Sequence, residues 1–244
     1  MENHGAADLG NVTINGQANN KGTLTLDSLK GRGKFHNNNV LTFKSPMDKD
    51  PEIGISSFTN ASEMKGDNVT VSDMVNTCML GKGKADVKSL TLNGKNTIYE
   101  NYGEITAETL TLSQLQSAFI NHHRMTIGTL SLLLRNHFTN MGDLQVGSIK
   151  GTGSLLNHHV LTFKEKSKTP LVLDLFSLIS KTGIEASIAP QIYGEDLVFS
   201  SQLSEFIIAS GLMNVASLTL QSTQNAKPIY QNNARMQAGE LVLN

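Results

Sequence analysis

The stretch from residue 99 to residue 144 contains one short pattern three times: YENYGEI at 99–105, FINHHRM at 119–125 and FTNMGDL at 138–144. Its leading aromatic residue advances by 20 residues and then by 19. The first two copies are followed by runs in which leucine alternates with a small polar residue, LTL at 110–112 and LSL at 130–132. Such alternation is typical of β-strands, and a period near twenty indicates a solenoid.

The period also selects the kind of solenoid. A coil of twenty residues accommodates about three short strands at roughly 3.3 Å per residue, whereas two-helix repeats need about 33 residues. The β-branched and asparagine content disfavours helices. The sequence therefore predicts an all-β fold, a parallel β-helix with coils of roughly 20 residues.

The pattern extends outward in both directions and predicts one β-helical domain over residues 1–244. Residues 22–44 align with residues 142–164 at an offset of 120 without a gap, and twelve of the 23 positions are identical. Two stretches break the rhythm. The prolines and alternating charges of residues 45–57 predict an extruded loop, and residues 171–213 form an irregular apolar insertion.

The insertion allows more than one interpretation. Its runs LVLDLFSLI at 171–179 and EFII at 205–208 fit either buried strands or short helices. Its apolar side chains would fill the interior of irregular coils, cover a coil end, or form a patch that binds a partner. The hypothesis is that this insertion and the 45–57 loop carry the function specific to this protein.

Three columns of side chains are predicted from the repeat. An asparagine two positions after the aromatic residue would form a buried hydrogen-bonded ladder, because an amide both donates and accepts. Two positions further, Asn39, Gly103, His123, Gly142 and His159 suggest left-handed turns. The inward aromatic column comprises Phe35, Phe58, Tyr99, Phe119, Phe138 and Tyr230. The ladder comprises Asn37, Asn60, Asn101, Asn121, Asn140, Asn157 and Asn232.

Composition excludes several classes of protein. Twenty basic and twenty-one acidic residues give a net charge of −1, and no lysine or arginine run exceeds two, which argues against nucleic-acid binding. No apolar run reaches the length of a membrane-spanning helix, so membrane insertion is not expected. Cys78 is the single cysteine, so no internal disulfide forms. The first residues lack a signal-peptide core, so the chain is expected to be intracellular or a fragment of a larger protein.

The histidine pairs and the acidic residues are the candidates for metal binding and catalysis. The pairs His122–His123 and His158–His159 would be separated by a coil that carries Met141 and Gly142. A separation of roughly 9.6 Å is too large for one zinc ion. The acidic residues are scattered, with only Glu104 and Asp143 in one column around Arg124. We therefore expect no catalytic residue, no metal and no cofactor. The acidic residues considered are Asp27, Glu104, Glu108, Asp143, Asp174, Glu195, Asp196 and Glu205.

The frame Asn-x-Gly-x-Ile-x-Ala followed by Leu-Thr-Leu, at 101–112, resembles haemagglutinin-type repeats of filamentous-haemagglutinin-like exoproteins, which include contact-dependent toxins. The resemblance covers the repeats outside 45–57 and 171–213. It implies a right-handed β-helix that serves as a stalk or display surface. The Asn-Pro-Asn-Gly and Asn-Pro-Asn-Leu signatures of that family's secretion domain are missing.

These observations lead to an expected function. The chain is expected to be a non-catalytic scaffold or binding segment of a large bacterial surface, secreted or toxin protein, with protein or glycan partners and neighbouring domains of its parent chain. The alternatives are a carbohydrate-active β-helix enzyme and an intracellular interaction module of a large toxin or effector.

Overall fold

The structure is a computed structural model that describes residues 1–45, 50–95, 97–114, 117–133, 135–164, 170–183, 188–221 and 228–244. The chain divides into two compact units, Met1–Phe119 (unit 1) and Ile120–Asn244 (unit 2). Both are parallel β-helices, which confirms the predicted fold class. The described residues contain no helix, and so none that could cross a membrane.

The strands of unit 1 are short except for three of nine residues. They are β1 (Glu2–Asn3), β2 (Ala6–Asp8), β3 (Asn11–Thr13), β4 (Gln17–Asn20), β5 (Thr23–Leu26), β6 (Ser28–Lys30), β7 (Lys34–Asn37), β8 (Leu41–Phe43), β9 (Glu52–Gly54), β10 (Ser57–Asn60), β11 (Glu63–Val71), β12 (Thr77–Leu80), β13 (Lys84–Leu92), β14 (Ile98–Asn101) and β15 (Glu104–Leu112).

Strand β16 (Ala118–Asn121) spans the boundary between the units. The remaining strands are β17 (Arg124–Leu132), β18 (His137–Asn140), β19 (Asp143–Gly151), β20 (Ser154–Asn157), β21 (Val160–Phe163), β22 (Leu171–Leu173), β23 (Ser177–Ser180), β24 (Gln191–Phe199), β25 (Glu205–Ile208), β26 (Leu212–Leu220), β27 (Ile229–Asn232) and β28 (Arg235–Leu243).

Each coil contributes one strand to each of several parallel stacks. In unit 1 the first stack runs β1-β4-β7-β10-β12-β14 and the second runs β2-β5-β8-β11-β13-β15. A third stack, β3-β6-β9, joins the second half of β11, so the nine-residue strands combine two faces of the coil. Unit 2 has the stacks β18-β20-β23-β25-β27 and β17-β19-β21-β24-β26-β28.

Strand register is maintained although coil length varies. Phe138 pairs with Leu155, 17 residues later, and Leu178 pairs with Phe206, 28 residues later. The turns absorb this difference, because a slip of one residue would move every buried side chain to the solvent face.

The interior is built from alternating apolar side chains. Along β15 the burial alternates between exposed Glu104, Thr106 and Glu108 and buried Ile105 and Ala107. Phe35 and Phe58 stack at 6.1 Å between ring centroids. Tyr99, Phe119 and Phe138 are buried, whereas Tyr230 on β27 is partly exposed. The predicted aromatic column is interrupted, since Cys78 lies between Phe58 and Tyr99.

The predicted asparagine ladder is present. In unit 1 the side-chain amide of Asn20 donates to Asn37 at 2.7 Å, and that of Asn37 donates to Asn60 at 2.7 Å. Each amide also donates to a backbone carbonyl oxygen, of Val40 for Asn20 and of Glu63 for Asn37. Both amide hydrogens are thus used in an apolar interior, where an unsatisfied polar group is costly.

Unit 2 contains a second run of the ladder. Asn121 donates to Asn140 at 2.9 Å, Asn140 donates to Asn157 at 2.9 Å, and Asn157 donates to the hydroxyl of Ser180 at 3.4 Å. The predicted members Asn37, Asn60, Asn101, Asn121, Asn140 and Asn157 are at most 1% exposed. Asn232 occupies the same register but is exposed, because it lies on the last coil of unit 2.

The structure differs from the prediction in both stretches that were expected to interrupt the repeat, 45–57 and 171–213. Within 45–57, β9 pairs with both β6 and β11, and Ile53 and Ile55 are buried, so this half of the expected loop is a coil face. Residues 46–49 lie outside the described residues. The expectation of a fully extruded loop is therefore wrong for 52–57.

Residues 171–213 are not an irregular insertion. Strands β22 to β25 and the start of β26 pair in parallel register with the coils before and after them. Leu173, Leu175, Leu178, Phe206 and Ile208 fill the interior. The repeat was hidden because the ladder position holds Ser180 in β23 and Ile208 in β25, and because Leu178 takes the aromatic position in β23. Residues 184–187 lie outside the described residues.

The predicted left-handed turns are also wrong. Among the described residues, only Gly31, Gly151, Gly211 and Arg135 have positive φ. Gly142 is required instead by close packing, because a Cβ there would lie 2.0 Å from the carbonyl oxygen of His123 on the preceding coil. Gly31 and Gly151, with φ of 115° and 116°, occupy equivalent places in the two segments aligned at an offset of 120.

Replacing Asn140 by alanine tests the ladder. We expect the free energy of unfolding to fall by about 1–3 kcal/mol, because buried hydrogen-bonding groups of Asn121, Asn157 and Val160 lose their partner. Urea unfolding measured by circular dichroism gives this value. The matched control is Asn232→Ala, at the exposed end of the same column, which should change it by less than about 0.5 kcal/mol. Equal losses in the two variants would contradict the ladder's role.

Candidate functional site

The candidate site is a shallow groove on the outer face of unit 2, with a volume of about 470 Å³. It crosses the first halves of β17, β19 and β21. Strand alternation directs the side chains at the first and third positions of each strand outward, while those between them enter the core. The groove is lined by Arg124, Met125, Thr126, Asp143, Leu144, Gln145, Val160 and Thr162.

One titratable pair lies at the groove. The Nδ1 atom of His159 is 3.1 Å from Oδ1 of Asp143, and Arg124 is the register partner of Asp143 on the adjacent strand. The Asp143 side chain is 50% exposed and that of His159 is 28% exposed. Both side chains are partly exposed, so their polar atoms are accessible to a ligand. A carboxylate that orients an imidazole is also a geometry used in general base catalysis.

Unit 1 has a comparable depression of about 370 Å³, lined in part by Glu63, Lys84 and Glu104. Two ion pairs lie on this face. Lys65 lies 2.9 Å from Glu63, and Lys84 lies 3.4 Å from Asp86. These four side chains are paired within the face, and Lys82 is a further charged residue that lines the depression.

The histidine pairs occupy turns in unit 2, and the coil with Met141 and Gly142 lies between them. The backbone amide of Asp143 donates to the carbonyl of His123, and that of His158 donates to the carbonyl of Asn140. His158 Nδ1 is 2.8 Å from the backbone carbonyl oxygen of Lys181. Among the residues with described positions, no three His, Cys, Asp or Glu side chains are grouped as metal ligands.

The remaining acidic candidates are distributed over both units. Asp27 lies 3.6 Å from Lys44, Ser177 donates to Glu205 at 3.1 Å, and Ser217 donates to Asp196 at 2.7 Å. Glu104 and Glu108 lie on β15 of unit 1, whereas Asp143 belongs to unit 2. Within unit 2, Asp143 therefore shares its column with Arg124 and not with a second carboxylate.

The pairing of His159 with Asp143 was not predicted from the sequence. His159 lies in a turn, as predicted, and that turn also places its imidazole against Asp143 of the adjacent coil. The alignment of residues 138–144 with 155–161 would have shown the two residues on neighbouring coils. The buried asparagines of the ladder do not reach the surface and therefore form no part of a ligand site.

The thiol of Cys78 lies in the core of unit 1 and is 2% exposed. Burial raises the pKa of Cys78 to about 12. Burial also raises the pKa of Tyr99, its register partner, to about 12, although the backbone N–H of Gly94 donates to the phenol oxygen and opposes the shift. The thiolate is the nucleophilic form of cysteine, so this side chain is chemically inert in the folded state.

No protein-family model, no curated protein and no solved structure matches this chain.

Alkylation of Cys78 tests its burial. Iodoacetamide near about pH 8 should leave the native protein unmodified and should label it fully in urea, as measured by intact mass. Fast labelling of the native protein would contradict the buried position.

The raised pKa values also predict the effect of alkaline pH. The unfolded chain loses the Cys78 proton near pH 9.0 and the Tyr99 proton near pH 10.0, whereas the folded chain retains both to about pH 12. The free energy of unfolding should therefore fall as pH rises from 9.0 towards about 12. Urea titrations at several pH values measure this fall. Cys78→Ala should make it less steep, and an unchanged slope would contradict the assignment to Cys78.

Proposed function

We propose that the chain is a non-catalytic β-helical scaffold and binding segment of a large bacterial surface, secreted or toxin protein. The observation that carries the proposal is that the inward and outward faces of each strand carry different kinds of side chains. Inward positions are occupied by apolar residues and by asparagines whose hydrogen bonds are satisfied. Outward positions form the sheet faces. The two depressions described above, one in each unit, are shallow.

The resemblance of residues 101–112 to haemagglutinin-type repeats supports the same proposal. Proteins of that kind carry β-helices as stalks or display surfaces, so the partner would be a protein or a glycan that meets an outer face. A cell-surface or secreted location follows from this proposal, and the alternative is an interaction module that acts inside a cell.

A rival function is cleavage of a carbohydrate. The pair His159–Asp143 beside Arg124 favours it, because a carboxylate-oriented imidazole can transfer a proton and a guanidinium can stabilise developing negative charge. Hydrolysis by paired carboxylates needs two acids at a fixed separation. Asp143 has a basic neighbour in its column instead.

A cleavage assay separates the two functions. The purified protein is incubated with neutral and acidic polysaccharides, with and without a chelator, and new reducing ends and unsaturated products are measured. We expect neither product, and Asp143→Asn should behave like the wild type. Reproducible cleavage that is lost in Asp143→Asn, while Asp86→Asn in unit 1 retains it, would establish the enzyme.

Localisation gives an independent test of the proposed function. Antibodies against the chain should label intact cells of the source organism or detect the protein in culture medium. A cytoplasmic protein, probed in parallel, should be detected only after lysis. Detection of the chain exclusively in lysed cells would favour the intracellular alternative.

A further inference from the structure

A column of uncharged polar side chains crosses the outer face of unit 2. It takes the third position of each strand in the stack β17-β19-β21-β24-β26-β28. Strand pairing places its members in direct register, one per coil. At roughly 4.8 Å per coil the column is about 24 Å long. Its members are Thr126, Gln145, Thr162, Tyr193, Asn214 and Gln237.

The hydrogen-bonding groups of this column are largely uncommitted. Tyr193 donates its hydroxyl to Gln191 at 2.5 Å. The other five side chains form no hydrogen bond to another residue in the described ranges, and Thr126, Asn214 and Gln237 are exposed. One margin of the column is open, because the next outward position is Gly128, Gly147, Ala216 or Gly239 in four of the coils.

The equivalent column of unit 1 has a different chemistry. Strand pairing there aligns Asp8, Thr25, Thr42, Lys65, Asp86 and Thr106. Its charged members form ion pairs, Lys65 with Glu63 and Asp86 with Lys84. The fold therefore accepts either chemistry at these positions, and the uncharged column of unit 2 is not a requirement of the β-helix.

We propose that this column binds an extended, uncharged polysaccharide that runs along the stacking direction of unit 2. The proposal rests on the proposed function, since it names the partner of the binding segment. One pyranose unit of an extended chain is close in length to the spacing between coils, so successive sugars meet successive side chains. Hydroxyl and amide groups exchange hydrogen bonds with sugar hydroxyls, and the ring of Tyr193 packs against the apolar face of a pyranose.

The chemistry of the face disfavours other partners. Its margins carry both signs of charge, with Arg124 and Arg235 against Asp143 and Glu195, so no field of one sign attracts an anionic polymer. A peptide would add to a free strand edge or dock through apolar side chains. From β19 to β26 the backbone groups beneath the column are instead used in pairing with both neighbouring strands, and aliphatic residues do not contribute to the column.

Co-sedimentation with insoluble polysaccharides tests the proposal. Cellulose and chitin serve as neutral probes, and heparin immobilised on beads serves as the anionic probe. The triple variant Gln145→Ala, Tyr193→Ala, Asn214→Ala removes the centre of the column. The matched control is the triple variant Lys65→Ala, Asp86→Ala, Thr106→Ala in the equivalent column of unit 1. Circular dichroism and urea unfolding verify that both variants are folded.

The wild type should bind at least one neutral polymer, with little change between about 0.05 and 0.5 M NaCl, because no counterions are released. The affinity of the unit 2 variant should be lower than that of the wild type by about tenfold or more, since several hydrogen bonds are lost. The unit 1 variant should bind like the wild type. Should the unit 2 variant not fold, the single variants Gln145→Ala and Asn214→Ala provide the same comparison.

Other outcomes overturn the proposal. Absence of binding to every neutral probe, binding to heparin alone, or equal loss in the two triple variants would each refute the column as a glycan site. None of these results would affect the scaffold function, which fails instead if the wild type cleaves the polymer it binds.

Discussion

The structure depends on buried asparagine amides whose hydrogen bonds are completed by the next coil. An isolated amide in an apolar interior is destabilising, so each ladder residue requires a neighbouring coil in the correct register. Asn37 illustrates the constraint: it accepts from Asn20, and donates to Asn60 and to the carbonyl of Glu63. The same register aligns the strands and stacks the apolar columns beside the ladder.

Much of this arrangement was predictable from sequence. The spacing of aromatic and asparagine residues identified the fold and six buried members of the ladder. It missed Asn20, which follows Ala18 and not an aromatic residue, and it did not foresee that Leu80 interrupts the ladder. An interior column accepts apolar residues of differing shape when neighbours adjust, so the repeat persists where its signature residues are lost.

The outer faces were harder to predict for a different physical reason. Their side chains are not selected by packing, so their pattern carries no period that reveals which of them are neighbours. Asp143 and His159 are 16 residues apart in sequence and 3.1 Å apart in the structure, and only the alignment of coils connects them. The contrast between the paired charges of β11 and β13 and the uncharged column of unit 2 is likewise visible only after the strands are placed in register.

The ladder has a direction. Each hydrogen bond described between two ladder asparagines is donated forward, to the coil that follows in sequence. Each coil that carries the ladder asparagine thus presents an amide donor on one side and an amide acceptor on the other, so coils of this kind can replace one another. If a gene gains or loses a whole coil, the contacts between the remaining coils are preserved. A gain of a few residues within a strand instead disrupts the register with both neighbouring coils. The segments at 22–44 and 142–164, identical at twelve of 23 positions, fit growth by such units, which lets evolution change the length of the protein without redesigning its core.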